Sequence, residues 1–168
     1  GEVARNLERV PSGAEFDVAS AAYGGAVVFA SNEHFGSASG ILSPFPPLHM
    51  GDGFESARSR DPDHKEVLVI ALARPAKVLR VVMDFSFFVN NNPDAAEIAL
   101  GSCPNPHAGG WESATWHCVV PRTSVKAFAG SVKEFHVPPQ HGGAVNVVRV
   151  TLFPDGGVNR IHVQGLAE

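Results

Sequence analysis

The sequence predicts an all-β fold, an antiparallel β-sandwich, and three observations carry that prediction. Apolar runs of strand length recur along the chain, turn-forming clusters of Gly, Pro, Asn and Asp separate them, and no stretch keeps a helical period. Short strands punctuated by turns, with no helices to cover a parallel sheet, fold as a sandwich or jelly roll. At 168 residues, 17 of them Gly and 13 Pro, the chain is sized for one loop-rich domain with a real core.

Taken in order, residues 1–22 open charged and polar and read as a lead-in that wraps the domain proper, residues 23–168. Within the lead-in, Val18 to Ala22 has room for one helical turn. Ala26 to Ala30 is a short apolar strand that ends at the polar turn Ser31-Asn32-Glu33-His34. Ile41 to Pro47, with its three prolines, is an irregular connection. Val67 to Leu72 reads as a central strand, Arg74-Pro75-Ala76 as a turn, and Lys77 to Asp84 as a second strand ending in an acid. Phe85–Phe88 and Asn90–Asp94 then form a loop with an aromatic base and a polar rim, ahead of a third strand at Ala95 to Gly101. Trp116 to Val120, bounded by Pro121, and Val132 to Val137 follow as further strands. Val145 to Phe153 is the longest strand candidate. Pro154-Asp155-Gly156-Gly157 is a turn by composition, with Asp155 read as its structural acceptor, and Arg160 to Gly165 alternates as a last strand closing a terminal hairpin.

Composition narrows the function classes. A formal charge of -4 gives no reason to expect nucleic acid or an anionic membrane as partner. No apolar run approaches the length of a membrane span and no signal peptide is visible, so a cytoplasmic location is expected. Cys103 and Cys118 are the only cysteines, and they are expected as free thiols.

Candidate chemistry is densest between His49 and His64. Asp52 sits between Gly51 and Gly53, where the backbone can turn sharply and present the carboxylate outward, and Glu55, Arg58 and Arg60 follow within eight residues. A guanidinium donates two parallel hydrogen bonds to a carboxylate, and a carboxylate beside water serves as a general base. The alternative is a solvated turn, capped by Asp52, with Glu55 paired to a neighbouring arginine. His34, His49 and His64 have no recognised metal spacing, so no cofactor is expected, while a divalent-metal requirement stays open. Trp111 and Trp116 are read as core or rim residues.

Four stretches, in order, resemble the allantoicase family. Met50-Gly51-Asp52-Gly53-Phe54-Glu55-Ser56 running into Arg58 and Arg60 is similar to its Met-Gly-Asp-Gly-Trp-Glu-Thr signature. Gly24 to Gly36 resembles its opening strand and acidic turn, Asp84 to Pro93 its Asp-Thr-x-x-Phe-x-Gly-Asn-Phe-Pro loop, and Phe153 to Arg160 its closing Pro-Asp-Gly-Gly-Val-x-Arg turn. The resemblance implies a jelly roll of the galactose-binding-like type, with the loops after Ala30, around Asp52 and after Met83 gathered at one end. It also implies hydrolysis of an allantoate-like small molecule to ureidoglycolate and urea. Asp52 or Glu55 would then be the acid/base, with Glu33, His34, Arg58, Arg60, Asp84 and Asn91 binding substrate. Phe54 replaces the family's Trp, and Phe85, Asn90 and Asn92 replace its Thr, Gly and aromatic residue. The family carries two copies of the unit and this chain one. That implies an uncovered apolar face and a homo-oligomer, with a non-catalytic ligand- or protein-binding module as the alternative function.

Overall fold

The computed structural model describes residues 13–33 and 37–168. Among them the chain forms ten strands: β1 (Glu15–Asp17), β2 (Ala26–Ala30), β3 (Phe54–Glu55), β4 (Glu66–Asp84), β5 (Ala95–Ser102), β6 (Thr115–Ser124), β7 (Val132–His136), β8 (Val145–Phe153), β9 (Gly157–Val158) and β10 (Arg160–Ala167). The helical pieces are 3₁₀ turns, the longest being Ala38–Leu42.

β4 decides the architecture. The turn expected at Arg74-Pro75-Ala76 does not form, and one strand of 19 residues runs through it. Its first part, residues 66–71, pairs with β2 and β8, whereas residues 76–84 pair with β10 and β7. Pro75 lies where the register opposite β8 jumps from Ala71 to Ala76, so its missing N–H costs no ladder bond there. β4 therefore belongs to two layers, β2-β4-β8-β5-β6 and β1-β10-β4-β7.

Alternate residues of each layer face the other. Leu68, Ile70 and Leu72 of β4, Ala96, Ile98 and Leu100 of β5, and Val148, Val150 and Leu152 of β8 form one buried cluster with Val81, Met83, Phe135, Ile161 and Val163. Each such Val, Leu, Ile, Met or Phe side chain contributes roughly 1.5–3 kcal/mol by leaving water, so the period-two pattern holds the layers together. Phe54, Phe85, Phe88, Ile41 and Leu42, all fully buried, close the same core at one end.

Three other expectations change. β8 and β10 form no hairpin, since β8 lies between β4 and β5 and β10 between β1 and β4. The chain crosses between layers through β9, which pairs with β3. Alternation shows which face of a strand is buried and not which strand lies beside it. Residues 15–17, ahead of the boundary drawn at residue 22, join the sheet against β10, and Val18 and Ala19 are in the core. β6 continues past Pro121, because it is an edge strand and Pro121 falls in a register shift opposite β5.

Both cysteines are free, Cys103 buried and Cys118 exposed. Trp111 packs on Phe29 with ring centroids 5.0 Å apart, and Trp116 lies 4.7 Å under the Arg149 guanidinium. Among the described residues no helix is long and apolar enough to cross a membrane.

Candidate active site

The site begins with a two-residue ladder. Phe54 is fully buried opposite Val158, and the strand alternation turns the next residue, Glu55, away from the core. Beyond it the segment is laced to the β8–β9 turn. Ser56 donates both its N–H (3.1 Å) and its hydroxyl (3.3 Å) to the Gly156 carbonyl, and the Gly156 N–H donates back to Ser56 Oγ at 3.0 Å. The Ser59 N–H donates to Asp155 Oδ2 at 2.7 Å.

The same turn receives the β4–β5 loop on its other side. The Gly157 N–H donates to the Asn91 carbonyl at 2.9 Å. A Cβ at Gly156 would stand 2.7 Å from the Pro93 nitrogen, and one at Gly157 only 2.0 Å from the Phe88 ring. Those two glycines are required for close approach, and Gly156 also for its φ of +131°. The approach places Asn91 beside Glu55, and its amide Nδ2 donates to Glu55 Oε2. Asn92, buried, donates to the carbonyls of Val125 (3.1 Å) and Lys126 (3.3 Å), which draws in a third wall. Lys126 Nζ returns a bond to the Asn92 carbonyl at 3.1 Å and lies 3.9 Å from Asp94 Oδ1.

These walls enclose a cleft of about 500 Å³. Glu55, Arg58 and Asn91, three of the residues expected from sequence, line it together. Arg58 is exposed and has no hydrogen-bond or ion-pair partner among the described residues, so its planar fork is open to a ligand. Four further residues of the cleft lining are not singled out as site residues by the sequence: Asp155, Lys126, Asn92 and Asp94. Asp155 stood inside the matched Pro-Asp-Gly-Gly turn and was assigned to structure alone. Lys126 carries no signal in the sequence, because long-range contacts of Asn92 and Asp94 bring its segment to the cleft.

Asp52 is placed otherwise than expected. Its carboxylate does not stand beside Arg58 and Arg60. Oδ2 accepts the N–H groups of Leu48 (2.7 Å) and His49 (3.2 Å), and Oδ1 lies 3.4 Å from His49 Nε2. The Leu48 N–H above all, then the N–H and ring of His49 and the charge of Arg160, hold this carboxyl below the usual carboxylate range against a smaller opposing effect of burial. Free main-chain donors were nearer than any guanidinium, so Asp52 caps the turn as in the alternative reading, whereas Glu55 is bonded by Asn91 and pairs with no arginine among the described residues.

The remaining expected residues disperse. Asp84 Oδ1 accepts the Ser86 N–H (2.8 Å) and hydroxyl (2.5 Å) in a local turn. Glu33 Oε2 accepts the Ala38 N–H at 3.0 Å and lines a separate shallow cavity with Phe29 and Ser37. Arg60 is exposed and off the cleft wall. His34 lies outside the described residues.

Arg160 and Asn159 brace these loops from beneath. Arg160, 4% exposed, donates to the carbonyls of Phe45 (2.9 Å), Asp52 (2.9 Å) and Asn159 (2.8 Å). Burial pulls its guanidinium down from its ordinary pKa, and the charges of Asp52 and Asp84 oppose that. Asn159 Nδ2 donates to the carbonyls of His49 (3.1 Å) and Ser86 (2.9 Å). Among the described residues no three His, Cys, Asp or Glu side chains stand together as a metal-binding group. His49 faces Asp52, and His64 Nε2 lies 2.5 Å from the buried Glu66.

A two-layer jelly roll with a polar cleft built from loops at one end defines a galactose-binding-like β-sandwich domain. The family 32 carbohydrate-binding module of Streptococcus pneumoniae EndoD shares that fold, with a TM-score of 0.60 at 15% identity over 88% of this chain and 98% of the module. The family is narrower than the fold. The model of the allantoicase repeat matches residues 16–168, and the chain belongs to the allantoicase family. It is 36% identical over 167 residues to a probable allantoicase of Photobacterium profundum, covering 98% of this chain and 50% of that one. With a probable allantoicase of Pseudomonas syringae pv. syringae it shares 34% identity over 163 residues, covering 96% and 48%. The crystal structure of Saccharomyces cerevisiae allantoicase superposes with a TM-score of 0.77 at 28% identity, over 94% of this chain and 45% of that one. The chain thus spans about half the length of the curated relatives it matches.

Proposed function

We propose that the cleft hydrolyses allantoate to ureidoglycolate and urea. One observation carries the reading: Glu55, held at one oxygen by Asn91, stands in the same cleft as an Arg58 that has no partner among the described residues. Allantoate bears one carboxylate and two ureido groups on a single carbon. Arg58 takes the carboxylate through two parallel N–H···O bonds, and Lys126 adds positive charge from the facing wall. The free oxygen of Glu55 removes a proton from water as the water oxygen bonds to that carbon. The bond from carbon to one ureido nitrogen breaks, and Glu55 returns the proton to the departing nitrogen, releasing urea. Asn91 keeps the carboxylate aimed throughout.

Incubation of the purified chain with allantoate, with and without divalent metal, and assay of urea and ureidoglycolate test this. Glu55→Gln is expected to lower turnover by about two to four orders of magnitude. Arg58→Lys is expected mainly to raise KM, since a point charge cannot reproduce the fork. No turnover under any condition sinks the hydrolase reading and leaves a small-molecule- or protein-binding module. The reading places the enzyme in the cytoplasm and includes self-association through Phe45, Leu48, Phe87 and Val89, which are exposed on loops. Sedimentation as a monomer across micromolar concentrations would refute the latter.

A further inference from the structure

We infer that Asp155, from the β8–β9 turn, reads the ureido group of the ligand and sets the cleft's preference for N–H donors. The inference rests on the reading above for its choice of ligand. Asp155 is half-buried on the cleft wall, and its two oxygens have different roles. Oδ2 is committed to the Ser59 N–H at 2.7 Å, which fixes the plane of the carboxylate. Oδ1 has no hydrogen-bond partner among the described residues. Glu55 follows the same plan, with Oε2 taken by Asn91 and Oε1 without a partner among the described residues. The two lie on one wall, because Glu55 is the cross-strand partner of Gly157, two residues beyond Asp155.

A carboxylate oxygen can only accept hydrogen bonds. A ureido group offers a row of N–H donors, and a carboxylate offers none. The open oxygens of Asp155 and Glu55 thus favour the ureido end of a ligand and repel its carboxylate, which goes to Arg58 on the same segment. That division orients the ligand. Asp155 is a specificity residue.

Asp155→Asn separates this role from bracing. The amide oxygen still accepts the Ser59 N–H, and the NH₂ group then faces the cleft, setting donors against the ligand's donors. Two probes are titrated calorimetrically, allantoate and ureidomalonate, in which a carboxylate replaces one ureido group. Both are titrated into the Glu55→Gln protein, with and without Asp155→Asn, so that no ligand is consumed. The added substitution should weaken allantoate binding roughly ten- to hundredfold, as loss of a charge-assisted hydrogen bond does. Ureidomalonate should bind as well or better. Equal weakening of both ligands would make Asp155 a brace and overturn the inference, as would unchanged allantoate affinity or an absence of allantoate binding. If Asp155→Asn does not fold, Asp155→Glu moves the free oxygen deeper, and an unchanged ratio of the two affinities overturns the inference there. A wild-type chain that releases no urea while the Glu55→Gln protein still binds allantoate would remove the hydrolase reading and leave this one standing.

Discussion

Gly157→Ala tests how the cleft is assembled. The backbone at Gly157 lies outside the left-handed region, so alanine meets no conformational penalty there. The penalty is steric: the new Cβ would stand 2.0, 2.3 and 2.7 Å from three atoms of the Phe88 ring, where ordinary contact is 3.4–4 Å. Phe88 is fully buried, so its ring has nowhere to turn, and the loop carrying it must lift away from the turn. Overpacking costs typically 1–3 kcal/mol, and an overlap this deep against an immobile ring belongs at or above about 3 kcal/mol. A domain of this size is stable by about 5–15 kcal/mol, so the variant should fold with its melting midpoint lowered by roughly 6–12 °C. Activity should fall further than stability, because the lifted loop carries Asn91, whose amide aims Glu55. Urea denaturation with an unchanged m-value gives the stability difference. Phe88→Leu in the same chain should recover part of it, a non-additivity expected only of residues in contact. Gly143→Ala, with nothing within 4 Å of the new methyl, is the control. A Gly157→Ala protein within about 0.5 kcal/mol of wild type, the ordinary range of surface substitutions, would refute the reasoning.

Other outcomes follow from the same contacts. The Asp52 carboxyl is depressed in the folded state, so its contribution to stability is present above the ordinary carboxylate range and lost as pH falls through the depressed value. Asp52→Asn should therefore flatten the acid limb of the stability–pH curve, and should cost less turnover than Glu55→Gln. Identical acid limbs in denaturation of variant and wild type would count against this. Arg160→Met strands the carbonyls of Phe45 and Asp52 in a buried site, a loss of more than about 3 kcal/mol by thermal melting, and Arg160→Lys should recover little because an ammonium cannot replace the guanidinium fork. Burial first, and then the hydrogen bond to Glu97, push the Cys118 thiol up. Alkylation of this exposed cysteine by iodoacetamide should be slow at neutral pH and accelerate as pH rises, with Cys103 unlabelled in the folded protein; rapid labelling at neutral pH would contradict it.

By itself the sequence determined the all-β class and the address of the chemistry. The alternation in Val145–Phe153 and the apolar run from Val67 to Leu72 placed two strands that the structure reproduces, because burial on a pleated face is written residue by residue. Glu55 and the residues that follow the Gly-Asp-Gly-Phe stretch, the Asn-rich loop and the Pro-Asp-Gly-Gly turn meet at the cleft. Tertiary structure alone decided what each polar residue does there. Asp52 and Glu55 look alike along the chain, yet Leu48 and His49 N–H groups were in reach of Asp52, whereas Glu55 was turned away from the core by the burial of Phe54. Asp155 reads as a turn acceptor until the Ser59 N–H, 96 residues away, is seen to occupy only one of its oxygens. Lys126 reaches the cleft because buried Asn92 binds the carbonyls of Val125 and Lys126 and the Val125 N–H donates to the Asp94 carbonyl. A hydrogen bond depends on distances of a few tenths of an ångström between groups far apart in sequence, and spacing along a chain carries no record of them.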